Sequence, residues 1–69
     1  MTQCERIVRH MNDIGSIDPM IAMQDYGIMR LASRISDLRR MGIPVQREMV
    51  RHVNRYGEIT HYARYSLIR

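Results

Sequence analysis

The chain has no lysine, only one cysteine and two prolines, and no long apolar run. Each shortage excludes something. A single thiol, Cys4, cannot close an internal disulfide, so the fold lacks the covalent staple that small secreted domains rely on. A membrane-spanning helix needs roughly 18 to 20 consecutive apolar residues, and no stretch approaches that. The opening residues, MTQCERIVRH, are polar and charged and do not read as a signal peptide, so a cytoplasmic location and no membrane partner are expected. Repeats and low-complexity segments are also missing. What is present is enough apolar content, 45%, to argue against disorder. The length, 69 residues, suits one domain with a single small core.

The charge is positive and unevenly placed. Residues 1 to 28 carry Arg6 and Arg9 against Glu5, Asp13, Asp18 and Asp25, whereas residues 29 to 69 carry nine arginines against Asp37, Glu48 and Glu58. Solubility accounts for a net charge of +4, but less well for its concentration in the second part, which is the footprint of a surface facing a polyanion. All eleven basic residues are arginine, whose forked donors suit phosphate and guanine, although a coding bias accounts for that equally well.

Local signals divide the chain. In TQCE, Thr2 can cap the amide three residues on and Glu5 can reach back, which starts a first helix with Cys4, Ile7, Val8, Met11 and Ile14 on its apolar face. Gly15 ends it. GSI is a turn with a bridging residue or two, and Ile17 is expected in the core. Asp18 followed by Pro19 is a helix start, and a short second helix to about Asp25 places Met20 and Met23 in the core, with Ala22 allowing a close crossing. Gly27 then turns the chain sharply, the arrangement of a helix-turn-helix unit.

The segment GIMRLASRISDLRRMG reads as the third helix. Leu31, Ile35 and Leu38 make an apolar stripe, and Arg30, Ser33, Arg34, Asp37 and Arg40 lie beside or opposite it. Arg39 and Arg40 sit where the helix dipole favours cations, Gly42 caps the end, and Pro44 forbids continuation. Beyond it the period changes to two. IPVQREMVRHVN and EITHYARYSLI are rich in β-branched and aromatic residues, and NRYG between them fits a type I turn with a following bulge. Ile59, His61, Ala63, Tyr65 and Leu67 share one face of the second strand, with His61 expected to be half-buried. Alternation is broken around QRE, so a bulge or late start is expected there. The expected class is α+β: three helices followed by a C-terminal β-hairpin.

Taken with this order, GSIDPMIAMQDYGIMRLASRISDLRRMGIPV resembles the small winged helix-turn-helix domains of phage and prophage proteins. Leu31, Ala32, Arg34, Ile35, Asp37, Leu38, Arg39 and Gly42 fit the third-helix pattern, Gly27 and Ile28 fit the turn, and RYG and ARY fit the hairpin, or wing. The resemblance implies a single domain over residues 1–69, with a helix-turn-helix at about 19–41 and a wing at about 43–68. It further implies a double-stranded DNA partner, with the third helix in the major groove. Arg30, Ser33 and Arg34 are then the candidates for base edges, Arg40 for phosphate, and Asp37 either accepts from cytosine or, preferably, orients Arg34 or Arg40. On the wing the candidates are Arg51, His52, Asn54, Arg55 and Tyr56, unless Tyr56 packs on its own hairpin. For any one arginine alone, a solvated face is the simpler explanation.

Two residues depart from the expected polar pattern. Ile21 and Met29 are apolar where exposure is expected, which marks them as a candidate partner surface. The alternative function is therefore a winged-helix module that binds a host protein, such as a polymerase or a defence complex. Neither catalysis nor a metal or cofactor is expected, because His10, His52 and His61 are scattered and the carboxylates occur singly as caps or ion-pair partners. Met11, Met20, Met23 and Met41 read as flexible core filler. A homodimer on a two-fold site is expected on energetic grounds, since one module of this size reads few base pairs.

Overall fold

The computed structural model describes residues 1–69, in an α+β arrangement of three helices and a three-stranded antiparallel sheet. Helix α1 (Gln3–Ile14) begins with a complete capping box. Thr2 Oγ1 accepts from the Glu5 amide and Glu5 Oε1 accepts from the Thr2 amide, both at 3.1 Å. Its inner face buries Ile7 and Met11 fully, with Cys4 and Val8 half-buried beside them. Ile14, expected on the same face, is exposed, because the apolar stripe runs one turn beyond what covers it.

Strand β1 (Ser16–Ile17) is the expected short bridge, and it carries Ile17 into the core. Helix α2 (Pro19–Tyr26) starts as the sequence predicts, with Asp18 Oδ1 accepting from the Ile21 amide at 2.9 Å and Pro19 in the first turn. Its core contact is Ala22, fully buried, flanked by half-buried Ile21 and Tyr26. Met20 and Met23 are not core residues: Met20 is 65% exposed and Met23 is exposed too. At about 100° per residue, a helix that turns Ala22 and Tyr26 inward sends Met20 almost to the opposite side and Met23 to the flank. Met41 is likewise exposed, which leaves Met11 as the one methionine in the core.

Gly27, at φ 68°, reverses the chain after α2, and Ile28 drops into the core behind it. Helix α3 (Leu31–Arg40) buries Leu31, Ile35 and Leu38 as its periodicity requires. The helix closes with a paired reversal: Gly42, at φ 87°, donates to the Arg39 carbonyl, and Ile43 donates to that of Leu38. Arg39 then reaches across to strand β2 (Val45–Val53), where its Nε and Nη2 donate to the Val45 carbonyl at 3.3 and 3.2 Å.

Strand β3 (Ile59–Leu67) lies between β1 and β2. The β2–β3 register runs unbroken from Val45 opposite Leu67 to Val53 opposite Ile59, so the bulge expected at QRE is not there. Most of β2 is exposed on both faces, and a strand without a buried side has no need of strict alternation. The register puts Val45, Arg47, Met49, Arg51 and Val53 on one face with Leu67, Tyr65, Ala63, His61 and Ile59. Near the base this face meets the helices through buried Val45 and Tyr65; further out it is uncovered. His61, expected to be half-buried, stands on the uncovered part and is exposed.

The histidine that is buried is His10. Its Nδ1 lies 2.5 Å from the Tyr26 hydroxyl, the two rings meet edge to face, and the Arg6 guanidinium sits over Tyr26. His10 thereby ties α1 to α2 inside an otherwise apolar core.

Candidate nucleic-acid interface

The inward stripe of α3 decides what its outer ridge presents. Opposite Leu31, Ile35 and Leu38 come Ser36 and Arg40, both exposed, and half-buried Ser33 and Asp37, with exposed Ala32 on the flank. Ser36 was not singled out from sequence, although its spacing from Ser33 places it on the same ridge. Arg30 stands just ahead of the first helical turn, not within the helix, and is exposed.

The Arg34 backbone lies beside α1, whose Cys4 thiol approaches its carbonyl at 4.0 Å. The Arg34 side chain is half-buried, with the buried Nε unpartnered and Nη2 3.2 Å from Asp37 Oδ2. The other Asp37 oxygen takes Arg40. One carboxylate therefore pairs with two guanidinium groups. Such a pair on a helix surface contributes little to stability but fixes where the donors point.

The hairpin tip is held by one side chain. Asn54 Oδ1 accepts from the amides of Tyr56 at 2.9 Å and Glu58 at 3.0 Å, while Asn54 Nδ2 donates to Glu58 Oε1 at 3.2 Å. Gly57, at φ 78°, donates to the Asn54 carbonyl, completing the type I turn with its left-handed fourth residue. The Asn54 amide is thus occupied within the turn. Arg55 and Tyr56 project from it; Tyr56 is 83% exposed and does not pack on its hairpin.

The arginines fall into two sets. Arg9, Arg34, Arg40 and Arg64 pair with carboxylates, Arg39 and Arg69 donate to oxygens of Val45 and Asn12, and Arg6 lies over Tyr26. Arg30, Arg47, Arg51 and Arg55 make no ion pair or hydrogen bond through their side chains, and three of these four lie on the hairpin. Its two acids, Glu48 paired with Arg64 and Glu58 hydrogen-bonded to the neutral Asn54 amide, are outnumbered by its four arginines. The hairpin therefore offers unneutralised positive charge, as a polyanion-binding surface requires.

Of the candidate partner residues, Ile21 is half-buried against the core and Met29 is 79% exposed in the loop before α3. No three His, Cys, Asp or Glu side chains converge as a metal-binding group, and no helix is long and apolar enough to cross a membrane. Neither a curated protein nor a solved structure matches the chain. A family model described as a winged helix-turn-helix domain, a DNA-binding fold, matches residues 2–69. The match spans α1, the α2–α3 pair joined at Gly27 and the basic C-terminal hairpin, and the chain belongs to the winged helix-turn-helix domain family.

Proposed function

We propose that the chain is a sequence-specific double-stranded DNA-binding protein, a transcriptional regulator or recombination accessory factor of phage or prophage type that works in the host cytoplasm. The observation that carries this reading is the set of arginines without internal partners, Arg30 ahead of α3 and Arg47, Arg51 and Arg55 along the wing. In this reading the outer ridge of α3 enters the major groove, with Arg30, Ser33 and Arg34 at base edges and Asp37 holding Arg34 and Arg40. Ser36 joins them as a small donor on the same ridge. Arg40, Arg51 and Arg55 meet phosphate or the minor groove, and Asn54 serves by shaping the turn that presents Arg55. Two copies on a two-fold site supply the affinity that one small module lacks.

Selection from random duplexes at two salt concentrations tests this directly. A consensus sequence is expected, and Arg30→Ala and Arg34→Ala should each weaken binding to it by about 1–3 kcal/mol. A chain that ignores duplexes at low ionic strength has another function. A second reading, a module that binds a host protein, draws on the exposure of Met29 and on a groove of about 630 Å³ between α1 and the end of α3, lined by Cys4, Val8, Met41 and Ile43. Under that reading Met29→Glu or Ile21→Glu abolishes partner capture, and the arginine variants leave it intact.

A further inference from the structure

The register of the hairpin places two basic side chains where a free protein gains nothing from them. Arg51 and His61 are direct cross-strand partners on the core-side face, and both are exposed. Side chains so paired have Cβ atoms roughly 4.5–5.5 Å apart, so a guanidinium and an imidazole stand side by side with no acceptor between them. Arg47 follows on the same face, one rung beyond Met49. No acid shares this face. Glu48 lies on the opposite face with Arg64, and Glu58 is held in the turn by Asn54. The groups around His61 are Arg51 opposite, Ile59 and Ala63 along its own strand, and Met49 and Val53 diagonally across; no helix covers it. Val53 and Ile59, a half-exposed apolar pair, border the basic rung on its outer side.

We propose that this uncovered face seats one phosphodiester strand, with a phosphate between Arg51 and His61, a second phosphate further along on Arg47, and a sugar against Val53 and Ile59, and that binding is accompanied by uptake of one proton at His61. The inference rests on the DNA-binding reading above and specifies which side of the wing meets the backbone. A phosphate between the two groups accepts a hydrogen bond from each, and both bonds are charge-assisted when the imidazole is doubly protonated. Strand binding is thereby linked to protonation of the imidazole, and affinity becomes pH-dependent. The opposite face, with its Glu48–Arg64 ion pair, has no such demand.

The test is fluorescence anisotropy with a labelled duplex at pH 6 and pH 8, each over a range of salt. The wild-type chain should bind about fivefold or more tightly at pH 6, and His61→Gln should lose that difference. Arg47→Gln and Arg51→Gln should each reduce the slope of log affinity against log salt by about one, and Arg64→Gln should leave it unchanged. All four residues are exposed, and circular dichroism verifies that each variant is folded. If His61→Gln keeps the wild-type pH difference, or Arg64→Gln lowers the slope as much as Arg51→Gln does, the face is misassigned while DNA binding stands. If the wild-type chain shows no salt-dependent duplex binding, both this inference and the reading beneath it fall.

Discussion

Replacing Asn54 by alanine separates the shape of the wing from its charge. The substitution removes three side-chain hydrogen bonds, those accepted from the Tyr56 and Glu58 amides and that donated to Glu58. Tyr56 and Glu58 are exposed, so water takes over the lost partners and the cost stays at the low end, about 1–1.5 kcal/mol for the group. Against a total stability of roughly 3–10 kcal/mol for a chain of this length, that is a substantial share. In a domain this small it should lower the melting temperature by about 4–10 °C, readable by circular dichroism. Duplex affinity should fall as well, because Arg55 must then be ordered at the moment of binding. Asn54→Asp made together with Glu58→Gln, so that two carboxylates do not face each other, is the control: the new carboxylate still accepts from both amides and should recover most of the stability. A melting temperature within a degree of wild type for Asn54→Ala, or equal damage from the double variant, would refute the claim that these hydrogen bonds hold the tip.

Ala22→Leu forces three further carbons into a fully buried site on α2 and should cost about 1–3 kcal/mol, measured by urea unfolding; an unchanged midpoint would mean that α2 is not clamped at this point. The Thr2 backbone amide, followed by the Thr2 hydroxyl, holds the Glu5 carboxyl below the usual carboxylate range. The folded state therefore binds that proton less readily than the unfolded chain, and the benefit is present above the unfolded value and lost as pH falls through the lowered folded one. The protection of the Thr2 and Glu5 amides, relative to their intrinsic exchange rates, should fall over that acidic window in the wild type, and the fall should be weaker in Glu5→Gln.

Features written in short-range spacing were legible in the sequence. Thr2 and Glu5, Asp18 and Pro19, Leu31 with Ile35 and Leu38, and Asn54 with Gly57 each specify a backbone geometry within a few residues, and the structure has all four. Burial of single side chains was less legible, because it depends on what another segment places above them. Ile14, Met20, Met23 and Met41 have helical spacings compatible with the core and stand outside it, while His10, polar and unremarkable in sequence, is inside with Tyr26. The same limit applies to the candidate interface. The arginines could be counted from the sequence, and the pairing of Asp37 with Arg34 and Arg40 follows from helical spacing, but the pairing of Arg64 with Glu48 and the engagement of Arg39 by the Val45 carbonyl depend on strand register and tertiary arrangement.

The grip of Arg39 on the first carbonyl of β2 bears on how a target would be measured. It fastens the end of the third helix to the root of the hairpin, and the two act like the jaws of a fixed calliper instead of fingers on a hinge. A double helix that accommodates one jaw must present its groove to the other at a set span. If the chain reads duplex DNA as proposed, sequences that are too stiff or too wide to do so should be rejected at positions that no side chain touches.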